Sequence, residues 1–180
     1  MLHLLTSFSH SAEVIAEREN EVRRCSMEQK TVEQTKVIYG NLMEPQHANI
    51  NGTVHGGEIL RIMDCAGGVV AKRHARSKVS TARVDCLDFN LPIYVGNYIY
   101  CVCEMNFVGT TSMEVMIKVM AEDLKCEGEP KVALTGYFTY VALDDEGKPA
   151  PVPQLKLVTD EEVKRFNEGR ERYLENKRKR

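Results

Sequence analysis

Apolar positions between 54 and 74 recur three and four residues apart, at Ile59, Ile62, Met63, Ala66, Val69 and Val70. At 3.6 residues per turn that spacing stacks them on one side, so it predicts a long helix with one buried face. The period then changes. Four runs rich in β-branched and aromatic residues, at 79–89, 98–108, 112–122 and 132–143, read as strands. Turn signals at 92–97, 109–111 and 128–130 separate them, and the last run ends at Asp144-Asp145-Glu146-Gly147. Upstream, 31–39 has the β-branched content of one more strand, ending at Gly40. One strand, a long helix and a four-strand meander predict an α+β body whose antiparallel sheet wraps the helix.

The flanks are polar. Residues 11–27 read as a charged helical arm with Val14, Ile15, Val22 and Cys25 as a thin apolar stripe. Pro149, Pro151 and Pro153 predict an extended linker, after which Thr159-Asp160-Glu161-Glu162 forms a capping box for a final helix. That helix has only Val163, Phe166, Tyr173 and Leu174 to bury, so it is expected to lean on its own subunit or on a neighbour. The expected organisation is an N-terminal arm over 1–30, the body over 31–155 and a charged C-terminal helix over 156–180.

Composition narrows the classes. The chain of 180 residues is 43% hydrophobic, enough for one substantial core. Lys and Arg number 24 against 26 Asp and Glu, a net charge of -2, so no global basic field points to nucleic acid, and any anion site must be local. The 6 cysteines include no C-x-x-C pair, and Cys101 and Cys103 lie in a strand-like run. Zinc or disulfide use is therefore not expected, and a reducing cytosol is. The apolar start is short and lacks a basic lead, so neither a signal peptide nor a membrane span is expected.

The chemical lead is the junction from Asn49 to Asp64, a polar glycine-rich turn running into the long helix. Gly56 and Gly57 let a ligand approach the backbone, and the first helical turn offers unpaired N–H groups. Asn49 supplies an amide and Asp64 a possible base. Each has a plainer reading. Periodicity puts Asp64 on the flank of the polar stripe with Glu58 and Arg61, as a solvated carboxylate, and Asn49 and Asn51 suit a turn. His55 is expected to be structural, His47 and His74 to be surface residues, and Cys65 to pack in the core.

Asn49, Gly52, His55-Gly56-Gly57, Met63-Asp64, Val84-Asp85, Phe89, Pro92, Gly109 and Thr111-Ser112-Met113-Glu114-Val115, in this order, resemble the hotdog-fold acyl-CoA thioesterases. The likeness is closest to the brain or cytosolic acyl-CoA hydrolase type, whose second hotdog domain ends in a segment similar to Gly136 through Leu143 and the tail to Leu155. It covers the chain from about Gln34 onward.

The resemblance implies a hotdog fold, with the long helix as sausage and the sheet as bun. It also implies pairing of two hotdogs into one sheet with composite sites at their interface, an Asn from one and an Asp from the other. Asn49 and Asp64 match those positions, with Asn51 as a nearby competitor. Since this chain carries both, a homodimer would hold two equivalent sites, and trimers of dimers are implied. Asn97 stands where many members have Asp, a change expected to be structural only.

The implied reaction splits fatty acyl-CoA into free fatty acid and CoA, with no metal and no cofactor beyond the CoA of the substrate. Asp64 would be general base or nucleophile, the Gly57 N–H would polarise the carbonyl, and the Asn49 amide would position water or the thioester oxygen. His55 and Gly56 would support. Gly109, Thr110, Thr111 and Ser112 would line the pantetheine-phosphate path, with Arg170 and Arg172 on the outer phosphates. The alternatives are a non-catalytic acyl-CoA sensor and, behind it, a hotdog enoyl-CoA hydratase.

Overall fold

The computed structural model describes residues 27–179, so the arm expected over 11–27 lies outside them apart from its last residue. Helix α2 (Gly56–Ala75) runs through the centre, as its periodicity predicts. It begins where the His55 imidazole accepts the Gly57 N–H and ends where Arg76 turns left-handed at φ 55. Ile59, Ile62, Met63, Ala66, Val70 and Ala71 face inward, whereas Val69 points out, 44% exposed.

Five strands wrap that face: β2 (Val37–Leu42), β3 (Lys78–Phe89), β4 (Asn97–Val108), β5 (Ser112–Asp123) and β6 (Lys131–Leu143). They pair in the order β2-β4-β5-β6-β3, antiparallel throughout. Inward side chains alternate along the strands, as a half-covered sheet requires. Ile99, Cys101 and Cys103 from β4, Val115 and Ile117 from β5, and Phe138 and Tyr140 from β6 join the helix in one core. This is the helix-in-sheet arrangement of the hotdog thioesterases.

The start of the body departs from expectation. Thr31 caps Gln34, whose side chain reaches back to the Thr31 N–H, and this capping box turns Val32–Thr35 into the short helix α1. Strand β2 therefore starts at Val37 and passes through Gly40 instead of ending there. Gly40 is needed inside the strand because the Tyr98 ring of neighbouring β4 fills the space of a β-carbon.

The C-terminal segment is stitched to the body. A short strand β1 (Lys30–Thr31) pairs in parallel with β7 (Leu155–Lys156), and the Lys30 ammonium donates to the Arg73 and His74 carbonyls at the end of α2. His74, expected at the surface, is fully buried with Nε2 2.9 Å from the Pro153 carbonyl oxygen. The cover is the proline-rich linker folding back, a long-range contact that helical periodicity cannot reveal.

Helix α3 (Asp160–Arg178) docks on the outer sheet face of its own chain. Phe166 and Tyr173 pack against Phe107 with tilted rings at centroid distances of 5.1 and 5.4 Å, and Arg165 pairs with Glu104 at 2.6 Å.

Candidate active site

Asp64 sits two turns into α2, half-buried beneath the β3 and β6 side of the sheet. The Thr81 hydroxyl donates to its Oδ1 at 2.6 Å. The Tyr140 hydroxyl donates to its backbone carbonyl at 3.0 Å and reaches Oδ1 at 3.3 Å. Thr81 and Tyr140 are cross-strand partners on β3 and β6, so pairing register alone brings the two hydroxyls together. Immediately after Thr81 the ladder slips, placing a bulge beside the site. The solvated-flank reading of Asp64 gives way to a carboxylate held between two hydroxyls.

Burial, and after it the Asp64 charge, pushes the Tyr140 hydroxyl well above the ordinary phenol range, so it remains a proton-bearing donor. Gly67, one turn beyond Asp64, makes room for it: a β-carbon there would lie 2.5 Å from the Tyr140 oxygen and 2.7 Å from Ile117 Cδ1.

The loop before α2 holds Asn49 in a turn of its own making. Its Oδ1 accepts the N–H groups of Asn51 at 2.8 Å and Thr53 at 3.3 Å, and its Nδ2 donates to Thr53 Oγ1 at 2.8 Å. Gly52, at φ +80, takes the left-handed position of that turn. The Gly57 N–H, expected as the carbonyl donor, is directed at His55 Nδ1 at 3.2 Å. Gly56 adjoins an apolar slot of about 250 Å³, where Phe89 lies 3.4 Å from the position of a Gly56 β-carbon beside Val54, Ile59 and Ile93. His47 is not a surface residue: its Nδ1 accepts the Glu44 N–H, and its side chain is largely covered.

Within one chain Asn49 and Gly57 are not brought to Asp64. Asp64 lies eight residues beyond Gly56, about 12 Å along the helix axis, and among the described residues no hydrogen bond joins the carboxylate to Asn49 or Gly57.

The Gly109 to Ser112 turn is closed by the Gly109 N–H donating to the Ser112 carbonyl at 2.8 Å. The Thr110 and Thr111 carbonyls accept N–H groups from Val152 and Ala142, which ties the turn to the C-terminal linker. Thr111 and Ser112 share a cavity of about 290 Å³ with Arg83, Tyr173 and Lys177, and Thr110 is exposed.

Arg172 departs from its expected phosphate role. It forms a bidentate pair with Glu114, at 2.8 and 3.1 Å, and lies 3.9 Å above the Tyr137 ring. Glu114 is only 5% exposed, and its partnership explains where the Arg172 charge is spent. Arg170 points to solvent. Cys65, expected in the core, is exposed on the same side of α2 as Val69.

Thr81, Tyr140 and Gly67 were beyond sequence reading. Their only signal is the pairing register of β3 with β6, which places two hydroxyls over one helical carboxylate.

Residues 51–127 match the family described as the Thioesterase superfamily. The chain is 39% identical over 154 residues to the cytosolic acyl coenzyme A thioester hydrolase of Rattus norvegicus, covering 85% of this chain and 40% of that one. The chain thus spans less than half the length of that relative. It is 35% identical over 150 residues to an uncharacterized acyl-CoA thioester hydrolase of Bacillus subtilis, covering 83% of this chain and 87% of that one.

Among solved structures, the acyl-CoA hydrolase of Staphylococcus aureus, in complex with butyryl coenzyme A and coenzyme A, superposes with a TM-score of 0.78 at 31% identity, covering 84% and 92% of the two chains. An apo-hexameric acyl-CoA thioesterase superposes with a TM-score of 0.80 at 33% identity, covering 85% and 97%. The Staphylococcus aureus enzyme has also been solved as single alanine mutants of an asparagine, an aspartate and a threonine, spaced fifteen and seventeen residues apart.

Proposed function

The chain belongs to the thioesterase superfamily, and from that membership we propose that it hydrolyses fatty acyl-CoA to free fatty acid and CoA at composite sites shared by two copies. The observation that carries the reading is the half-buried Asp64 carboxylate under the Thr81 and Tyr140 hydroxyls. Asn49, Asp64 and Thr81 are spaced fifteen and seventeen residues apart, as are the three residues replaced in the Staphylococcus aureus hydrolase.

In this mechanism Asp64 is the general base. Both hydroxyl contacts fall on Oδ1, which leaves Oδ2 to meet water. Oδ2 takes a proton as the water oxygen attacks the thioester carbonyl carbon. The tetrahedral oxyanion then collapses, the C–S bond breaks, and the CoA sulfur recovers the proton from the carboxyl group. The Gly57 N–H at the positive end of α2 receives the oxyanion once the His55 imidazole turns aside, and Asn49 of the second copy positions the water. The slot beside Gly56 takes the start of the acyl chain. Gly109 to Ser112 and Arg170 face the CoA phosphates, and Arg172 stays with Glu114.

A second copy supplies the missing half of each site. Strand β3 is a 12-residue sheet edge, with Val84 43% and Phe89 54% exposed along it and Val69 outward on the neighbouring helix. A long apolar edge of this kind invites strand pairing, and β3 against β3 of the second copy continues the sheet. The hexameric relative supports three such dimers in one assembly. The five described cysteines are free thiols, which with the cytosolic relative supports a cytosolic setting for residues 31–155 and the appended helix.

The test is thiol release from acyl-CoAs graded from acetyl to palmitoyl, with Asp64→Ala alongside. Hydrolysis that depends on chain length and vanishes in a folded mutant is the expected result. Wild-type rates in Asp64→Ala would sink the mechanism, and tight binding without release would make the chain a sensor.

A further inference from the structure

Tyr140 is buried to 1% exposure on β6, in the middle of the core, yet it places a hydroxyl against the half-buried Asp64 carboxylate of α2. A phenol so deep requires a partner, and among the described residues its hydrogen-bond partners are the Asp64 carbonyl and Oδ1. The helix gives up a side chain at Gly67 to admit it. Phenylalanine would fill the same volume with no such demand, so the oxygen serves something other than packing.

We propose that Tyr140 is a positioning residue for Asp64: its hydroxyl, working with that of Thr81, fixes the carboxylate through Oδ1 and turns Oδ2 toward the attacking water. This rests on the reading of Asp64 as general base. Thr81 holds Oδ1 from the exposed edge strand, whereas Tyr140 binds the same oxygen and the helix backbone from inside the core, so it locks the side-chain torsion to the helix itself. Few other titratable groups face the pair: the thiol of Cys103 from β4, and on α2 that of Cys65, with Arg61 beside it.

Tyr140→Phe in the full chain is expected to lower kcat about ten-fold, near what one hydrogen bond to a charged group carries, and to leave KM unchanged. Gly67→Ala crowds the same hydroxyl from the helix side. Alone it should lower kcat as Tyr140→Phe does; in the Tyr140→Phe background, where no hydroxyl remains to displace, it should lower kcat little further, the remaining crowding of Ile117 showing as lost stability.

Asp64→Asn separates the possible failures. Full activity in that variant overturns the base reading and this inference with it. An active wild type and an inactive Asp64→Asn, with a Tyr140→Phe variant whose kcat is unmoved or whose loss falls on KM instead, overturn the inference alone. Additive losses for Gly67→Ala and Tyr140→Phe would also overturn it.

Discussion

His74 shows what a single buried residue does to the acid stability of this chain. Burial holds its imidazole below the usual range, the Pro153 carbonyl pulls the other way, and the Lys30 ammonium adds to the depression. Among the described residues its Nδ1 has no hydrogen-bond partner. Because the unfolded chain takes up this proton at the higher pH, the neutral imidazole contributes stability that is full above about 6.5. That contribution is lost as pH falls through the folded-state value. Melting temperature should therefore drop between pH 7 and pH 5, and His74→Gln, which keeps a donor for the Pro153 carbonyl without a titrating proton, should flatten that slope. An equal slope in both proteins would assign the acid sensitivity elsewhere. At this scale the sequence was half legible. Asn49, Gly57 and Asp64 stand out because a loop and the start of a helix are local. Thr81 and Tyr140 do not, since their meeting depends on a strand register separated by 59 residues of chain.

Among elements, α3 is held by charge pairs, and one of their members, Arg172, is a residue that the sequence assigned to a ligand. Lys36 and Arg165 converge on Glu104 at 2.8 and 2.6 Å; burial pushes that carboxyl up, and the two cations outweigh it and hold it below the usual carboxylate range. Arg172 and Asn106 converge on Glu114 in the same way, at 2.8 and 2.6 Å. Gly169 lets the helix approach closely there, since a β-carbon would lie 2.7 Å from Phe107 and 2.8 Å from Glu114. Removing one partner of a buried pair leaves an uncompensated charge, so Arg172→Ala should cost about 3 kcal/mol in urea unfolding and leave KM for acyl-CoA unchanged. A raised KM with stability intact would return Arg172 to the phosphates. The existence and order of the main elements were readable because helix and strand periods differ over long runs. The boundary near Thr31 was not, because a β-branched run and a capping box occupy the same residues, and the hydrogen bonds of the cap prevail.

For the whole molecule, Asn49, in the loop before α2, makes no hydrogen bond to Asp64 among the described residues, and the shared-site proposal gives the second copy a part in the chemistry. Mixing Asn49→Ala with Asp64→Ala subunits should therefore revive activity. In an equal mixture about half the dimers pair one of each, each with one intact site, so recovery to about a quarter of wild type is expected. Subunit exchange confirmed by mass spectrometry with no recovery would confine the site to one chain. Nothing in the sequence alone shows which edge pairs, and the pairing proposed above rests on the exposed Val84 and Phe89 of β3.

The two thiols at the heart of β4 have a use that no catalytic role assigns them. Cys101 and Cys103 are fully buried, and burial pushes the Cys101 thiol up to about 12, so neither offers a reactive thiolate while the sheet is closed. Cys65, Cys86 and Cys126 are exposed. The described residues thus carry a built-in clock: a thiol reagent that follows released CoA meets Cys126 at once, and Cys65 and Cys86 as far as the proposed β3 pairing leaves them open, whereas the inner pair answers only when β4 parts from its neighbours, so slow late labelling of that pair times the opening of the fold rather than the turnover of substrate.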